Sequence, residues 1–182
     1  AFGDLIDLVM LDERQYRSPL PCPPPAPKLD RSRLVSPSDC ADAFNPERTI
    51  LGLGQEDWLA RQLAEPARGR WLLIGQQLMF SPFERKRKSG IGFSTDSWDG
   101  YAAAHQRMID LIAARPNRDT VVLGGDIHGF IASNVPSRRQ DLTSNVVAAH
   151  IVCGAISSRL GNHRSYIASL PNNPHIQFVD AQ

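Results

Sequence analysis

The order of apolar patterns along the chain predicts an α/β fold. Apolar runs typical of strands alternate with segments of helical spacing, in the order β-α-β-α-β-β-β. The apolar run 120–123 leads into a Gly pair, and Asp126 and His128 follow directly. Alternation of this kind is typical of layered proteins in which helices cover a sheet. We therefore expect the loops to gather at strand ends and to present polar side chains there.

The first half of the chain predicts a strand, a long loop and a helix. Residues 4–11 carry an apolar run and predict the strand. Most of the 14 prolines fall within about residues 18–49, where we expect a Pro-rich loop. Residues 54–64 place apolar side chains on neighbouring helical turns, and their acidic start suits the helix dipole.

The second half predicts four further strands and a second helix. Asp99 is the expected cap at the start of that helix. Residues 81–97 predict a loop, and we expect its basic run 85–88 to be solvated. The remaining predicted strands are 71–80, 120–123, 145–152 and 175–179.

The composition is that of one folded domain or a large piece of one. The 182 residues are 42% hydrophobic and 21% charged, as in ordinary globular proteins. A formal net charge of +1 gives no global support for binding to nucleic acid. No apolar run approaches the roughly 20 residues that a membrane-spanning helix needs.

The cysteines and the start of the chain bound its chemistry and origin. No C-x-x-C pair occurs among the three cysteines, so a zinc knuckle or ribbon is unsupported. Cys22 and Cys40 are compatible with a disulfide across the Pro-rich loop, or with buried thiols. The chain starts within a strand pattern, without Met and without a signal peptide, so we expect a fragment or a processed product.

Polar clusters at predicted strand and helix ends are candidates for chemistry. Asp126 and His128 offer a carboxylate and an imidazole, which suit Fe, Mn, Zn or Ca, although a bare D-x-H also occurs in structural turns. Residues 93–101 hold carboxylates, hydroxyls and aromatic rings at a helix start, either for an anion or as a cap over core aromatics.

Two weaker clusters have equally plain structural alternatives. Arg14 and Arg17 offer planar forks for phosphate or carboxylate, or form ordinary surface ion pairs. Residues 154–161 have the small and hydroxylated composition of an anion-binding nest, although a tight loop explains them as well.

Taken in order, six segments resemble the C-terminal half of the alkaline phosphatase D (PhoD-like) family of metallophosphoesterases. Each motif alone is weak, but six in the family's order with similar gaps are specific. They are 12–17, 53–59, 75–80, 96–101, 121–128 and 156–158. The resemblance implies that residues 1–182 form the C-terminal part of a phosphatase domain.

The resemblance also implies a fold, an activity and site residues. The fold would be a calcineurin-like sandwich of α/β/β/α layers, here only partial, and the activity metal-dependent hydrolysis of phosphate monoesters and diesters with iron and calcium. Asp126 and His128 match the family's segment at the metal centre and would be catalytic residues and metal ligands. Candidates for substrate binding are Arg14, Trp98, Asp99 and Tyr101, with Asp12 in support.

The chain departs from the family pattern because it lacks the upstream half. That half supplies an Asp-Asp-His-type segment and an Asn ligand, and Asp39 and Asp42 do not match it. The expected partners are therefore a phosphate-ester substrate and the missing N-terminal half, without nucleic acid. The alternatives are a catalytically silent fragment or a nucleic-acid-binding module. Family membership would imply a periplasmic or extracellular setting.

Overall fold

The computed structural model describes residues 1–24, 33–66, 68–88, 90–115, 119–158 and 163–180. Nine strands are described: β1 (Ile6–Met10), β2 (Leu34–Val35), β3 (Trp71–Gly75), β4 (Arg85–Arg87), β5 (Gly90–Ser94), β6 (Asp119–Gly124), β7 (Phe130–Arg138), β8 (Asp141–Val152) and β9 (Ile176–Asp180). The described helices are α1 (Leu53–Ala64), α2 (Ala102–Ala113) and α3 (His163–Ser169). Short 3-10 helices lie at Pro37–Asp39, Ala41–Phe44, Trp98–Tyr101 and Leu170–Asn172.

Two sheets organise these elements. The larger sheet has six strands in the order β1-β3-β6-β8-β7-β9, and the smaller has three in the order β2-β5-β4. Strands β1, β3, β6 and β8 run parallel, whereas β7 runs antiparallel to β8 and β9. The turns that follow β1, β3 and β6 therefore leave the sheet at the same end, where these parallel strands finish. The predicted α/β class is confirmed, and the larger sheet is rich in parallel pairs.

Helices α1 and α2 cover one face of the six-stranded sheet. Leu59 of α1 and Ile109 of α2 belong to the same buried cluster as Leu72, Ile74 and Val122 of the sheet. Burial of such side chains contributes roughly 1.5–3 kcal/mol each. The main core of the chain therefore lies on this helix-covered face.

The opposite face of the same sheet is apolar but exposed. Cross-strand partners share a face, and Leu8 pairs with Leu73, which pairs in turn with Val121. The large side chains on this side are 37–64% exposed: Leu8, Met10, Trp71, Phe130, Ile151 and Phe178. We call the surface that these six side chains form the open face.

Several sequence predictions are wrong in detail. The predicted strand 71–80 ends at Gly75, because the following residues turn toward the first loop of the chain. The predicted loop 81–97 contains the β4–β5 hairpin, and most of the basic run 85–88 lies in β4. Antiparallel pairing with β5 explains this strand, since the run has no apolar alternation to reveal it.

The start of the second helix also differs from the prediction. Ser97, rather than Asp99, acts as the cap, because its Oγ accepts a hydrogen bond from the Asp99 N–H at 3.3 Å. A 3-10 turn follows, and α2 begins at Ala102. The Asp99 carboxylate bonds elsewhere, as described below.

The segment predicted as a Pro-rich loop is less irregular than expected. Its described part contains β2 and two 3-10 helices, while residues 25–32 lie outside the described residues. Cys22 and Cys40 form a disulfide within it, and Cys153 is a free, exposed thiol. Among the described residues, no helix is long and apolar enough to cross a bilayer.

Candidate functional site

Asp126 and His128 lie on an exposed turn directly after β6. Their φ angles are +68° and +61°, so both adopt the left-handed conformation that non-glycine residues rarely take. The Ile127 N–H donates to the Gly125 carbonyl at 2.8 Å and tightens the turn between them. Backbone conformations of this kind store about 1–3 kcal/mol each and are concentrated at functional sites.

Ile127 anchors this turn from beneath. It is partly buried and packs against a cluster formed by Met79, Phe83, Ile131, Val152 and Tyr166. Tyr166 belongs to α3 and stacks on Phe83, with ring centroids 5.2 Å apart. The side chain between the two polar residues therefore holds the turn, while Asp126 and His128 remain exposed.

Gly124 lets β6 end close to the turn that follows β3. A Cβ at this position would lie 2.2 Å from the Leu78 carbonyl oxygen and 3.1 Å from His150 Nε2. The first distance is shorter than real Cβ contacts and involves backbone, and the second is tight, so the approach of the two segments favours glycine. The sequence signal for this packing is the Gly pair before Asp126.

The turn after β1 brings Arg14 to the same place. The Asp12 carboxylate accepts from the N–H groups of Arg14 and Gln15 at 2.8 and 3.1 Å, which shapes the turn. Arg14 Nη1 donates to Asp96 Oδ1 at 2.7 Å, and its Nη2 lies 3.4 Å from Asp126 Oδ1. Arg14 therefore joins segments that lie 112 residues apart in sequence.

Glu13 is a site-associated residue that sequence reasoning missed. It is fully buried, although charged residues rarely are. Its carboxylate accepts from the Trp98 indole N–H at 2.7 Å and from the Gln77 N–H at 2.9 Å. The Glu13 N–H donates to Gln77 Oε1 at 2.8 Å. Burial raises the pKa of Glu13 to about 7, against the lowering effect of these hydrogen bonds and of the Arg14 charge.

Trp98 is connected to this network through Glu13, whereas Asp99 and Tyr101 are turned to other partners. The buried Asp99 carboxylate accepts from the Phe83 N–H at 3.0 Å and pairs with Arg139 at 3.3 Å. Burial raises the pKa of Asp99, and the Arg139 charge opposes that shift. The Tyr101 hydroxyl donates to the Ser18 carbonyl at 2.7 Å.

Of the residues that the sequence singled out, the structure therefore links Arg14, Asp126 and Trp98. Arg14 contacts Asp126 directly, and Trp98 supports the Arg14 turn from behind through Glu13. Asp99 and Tyr101 belong to the 3-10 turn itself and bond to Arg139 and to the Ser18 carbonyl instead of to Arg14. The described part of the predicted nest 154–161 is its start, and residues 159–161 lie outside the described residues.

The sequence profile of the PhoD-like phosphatase family matches residues 1–182. The chain belongs to this family. Alkaline phosphatase D of Bacillus subtilis (strain 168) is 34% identical over 184 aligned residues, which cover 99% of this chain and 30% of that protein. A solved structure described as "Structure of PhoD" matches with a TM-score of 0.78 and 31% identity. The match covers 99% of this chain and 33% of the chain in that structure. The PhoD-like chain thus spans about a third of the length of these relatives.

Asp126 and His128 are the residues of this PhoD-like chain to test as metal ligands. Asp126 and His128 offer exposed oxygen and nitrogen donors, which fits two ligands of a hard or borderline cation. Among the described residues, no group of three or more His, Cys, Asp or Glu side chains converges to hold an ion. A complete site therefore needs donors beyond those in the described ranges.

Proposed function

We propose that these residues belong to a metal-dependent phosphoesterase that hydrolyses phosphate monoesters and diesters. The observation that carries the proposal is the approach of Arg14 to Asp126, beside His128 on a left-handed turn. A guanidinium next to exposed metal-type donors is the arrangement that binds a phosphoryl group and neutralises its charge. Membership in the PhoD-like phosphatase family supports it.

The roles of the site residues follow from their positions. Asp126 and His128 hold metal ions, with iron and calcium as the proposed pair. Metal ions at such a site polarise the phosphoryl oxygen and make water a stronger nucleophile. Arg14 binds a phosphoryl oxygen, and Trp98 positions the Arg14 turn through Glu13. Asp99 and Tyr101 support the site through the 3-10 turn that they share with Trp98, which their bonds to Arg139 and to the Ser18 carbonyl hold in place.

We also propose that residues 1–182 are the C-terminal part of a calcineurin-like sandwich of α/β/β/α layers. The open face supports this arrangement, because an apolar face of a largely parallel sheet is normally buried. A second sheet packed there would complete two central layers. The coverage of 30% of the Bacillus relative leaves ample chain for that layer and for the remaining ligands.

The disulfide supports an exported enzyme. Disulfides persist in oxidising compartments, and Cys22 is bonded to Cys40. That bond supports a periplasmic or extracellular setting as part of the proposal. Thiol titration of the denatured, unreduced protein should therefore detect only Cys153 among the three cysteines of this chain. Three reactive thiols would contradict the proposed compartment.

Substitution of the turn tests the proposed activity. In the active phosphatase that contains these residues, Asp126→Asn and His128→Ala should each lower aryl-phosphate hydrolysis by about 100-fold or more. Both variants should also bind less metal, measured by elemental analysis of the purified protein. Asp57→Asn, on the exposed side of α1, is the control and should match the unsubstituted enzyme. Full turnover in Asp126→Asn would contradict the proposal.

A second candidate is that the 182-residue chain by itself is catalytically silent. The lack of a three-donor group among the described residues favours it, because several ligands must converge to hold an ion. Metal analysis and an aryl-phosphate assay of the isolated chain separate the two states. Stoichiometric iron together with turnover would exclude the silent chain.

A further inference from the structure

A carboxylate in the candidate site holds two arginines at once. Asp96 Oδ1 accepts from Arg14 Nη1 at 2.7 Å and from Arg17 Nη1 at 2.5 Å. The arginines come from the turn after β1, whereas Asp96 follows β5 in the other sheet. One oxygen of Asp96 therefore fixes the distance between two guanidinium groups that would otherwise repel each other.

The exposure of these side chains gives the cluster a direction. The side chains of Arg17 and Asp96 are 19% and 25% exposed, whereas those of Arg14 and Asp126 reach 35% and 50%. Arg17 and Asp96 thus form the more buried side of the cluster, and Arg14 and Asp126 form its more exposed side, which we call the mouth. The guanidinium of Arg14 spans the two, with one nitrogen on each carboxylate.

The two contacts of Arg14 differ in strength. Charge-assisted hydrogen bonds are commonly about 2.7–2.9 Å long. The Arg14 contact with Asp96 falls in that range, whereas its contact with Asp126 is 3.4 Å. Arg14 is therefore anchored by Asp96, and its second nitrogen remains available to an anion at the mouth.

The geometry of the cluster, rather than its net charge, favours such an anion. The two guanidinium groups are balanced by the carboxylates of Asp96 and Asp126, so these four side chains carry no net charge together. The N–H groups of a guanidinium lie in one plane, so fixing that plane fixes the direction in which they donate to a phosphoryl oxygen. Fixing the plane of Arg14 is what its bond to Asp96 does.

We infer that Asp96 is a positioning residue that aims Arg14 at a phosphoryl oxygen beside Asp126, with Arg17 as the second cation of the same subsite. The inference rests on the proposed function, because it assigns the phosphate-binding part of that site. Asp96 acts through the arginines and does not touch the substrate. The cluster would otherwise be a set of surface ion pairs, which contribute little to stability and nothing to phosphate affinity.

Asp96→Asn in the active phosphatase is the direct test, with inorganic phosphate as the probe. We expect the KM for an aryl phosphate and the inhibition constant of phosphate to rise together by about tenfold, with a smaller change in kcat. Asp96→Glu retains the charge and should restore most of the phosphate affinity. Asp42→Asn breaks the comparable 2.9 Å pair with Arg48 in the Pro-rich segment and should leave both constants unchanged.

A background in which Arg14 and Arg17 are both substituted separates a positioning role of Asp96 from a direct role in phosphate binding. If Asp96 acts only through Arg14 and Arg17, Asp96→Asn should have little further effect in a background that lacks both arginines. An additive loss, or an unchanged phosphate inhibition constant in Asp96→Asn, overturns the inference. Should Asp96→Asn not fold, Arg17→Gln provides the second variant and should weaken phosphate inhibition about threefold, whereas unchanged inhibition overturns Arg17's part in the subsite.

Failure of this inference is distinct from failure of the proposed function. If Asp126→Asn abolishes turnover while Asp96→Asn binds phosphate normally, the phosphoesterase stands and the role of Asp96 is wrong. If Asp126→Asn remains fully active, the proposed site itself is wrong, and the assignment of Asp96 fails with it.

Discussion

On the helix-covered face of the six-stranded sheet, Leu72, Ile74 and Val122 lie in the main core and have almost no exposed surface. On the open face, Met10 and Ile151 are equally apolar, yet 64% and 43% of their surfaces are exposed. Neighbouring strands of one sheet supply both sets. The difference arises because α1 and α2 pack on one side only.

This contrast separates the packed face, which stabilises the chain, from the open face, on which we propose a second sheet. The helix-covered face contains the core that the described chain builds from its own residues. The open face has the composition of a buried surface, although the described residues leave it exposed. The turn of Asp126 and His128 follows the C-terminal end of β6, where these two faces meet. The stability of the described chain therefore depends on one side of the sheet, whereas the candidate site lies at the end of its strands.

The largest expected effect comes from a matched pair of cavity substitutions. Ile74→Ala should lower the free energy of unfolding by about 2–5 kcal/mol, because Ile74 is fully buried under the helices. Ile151→Ala, on the open face, should change it by about 0.5 kcal/mol or less. Urea denaturation of the chain measures both. Equal losses would mean that the open face is also packed.

Glu13 gives the next effect, which appears as a dependence on pH. Its pKa is raised from 4.5 to about 7 in the fold, so the folded state keeps a proton that the unfolded chain releases. The stability contribution is full below pH 4.5 and falls by roughly 3 kcal/mol as pH rises to about 7. Glu13→Gln should remove this decline, which urea denaturation at pH 5 and pH 7.5 would measure.

Controls keep this pH effect specific to Glu13. Burial lowers the pKa of His150 to about 3, so His150 adds stability as pH rises toward 6.5, with the opposite sign. Because His150 is unchanged in Glu13→Gln, the difference between the two proteins isolates Glu13. Glu65→Gln, at an exposed position, should follow the unsubstituted chain. A decline that persists in Glu13→Gln would contradict the buried proton.

A glycine pair at the end of β6 gives a smaller, sharply local effect. A Cβ on Gly124 would meet the Leu78 carbonyl at 2.2 Å, so Gly124→Ala should cost about 1–3 kcal/mol. A Cβ on Gly125 meets nothing nearer than the Gln77 carbonyl at 3.6 Å, so Gly125→Ala should stay within about 1 kcal/mol. Thermal unfolding compares the two. A larger loss in Gly125→Ala than in Gly124→Ala would contradict the close contact between Gly124 and the Leu78 carbonyl.

The smallest change in stability is expected from polar substitutions on the open face. Leu8→Ser combined with Ile151→Thr should leave the unfolding free energy of the chain within about 1 kcal/mol. The same pair should lower the binding of a hydrophobic dye and the self-association of the chain. In the longer phosphatase, where we propose a second sheet on this face, the pair should be clearly destabilising. Equal behaviour in both proteins would contradict that layer.

The parts of the fold that the sequence predicts are those with periodic apolar residues. Strands β1, β6, β8 and β9, and helices α1 and α2, lie close to the predicted ranges. Strand β7 was missed because Pro136 and polar residues interrupt its pattern, and its pairing with β8 shifts register at that proline. Helix α3 was missed because it has only seven residues, too few for its apolar residues to repeat with a helical period.

The candidate site shows the same limit at the level of single residues. Asp126, His128 and Arg14 were found because each stands in a short segment with a recognisable composition. Glu13 was missed because its partners Gln77 and Trp98 lie 64 and 85 residues away, and burial of a carboxylate leaves no local signal. Asp96 stood within a recognised segment, but its two arginines became its partners only in the folded chain.

The packing of Ile127 against the cluster that contains Tyr166 has a practical consequence for protein engineering. The polar turn after β6 takes part of its support from α3, which comes some 40 residues later in the chain. A truncation before α3 would keep Asp126, His128 and Arg14, yet it would remove the surface on which their turn rests. Expression boundaries and fusion points are therefore best placed beyond β9.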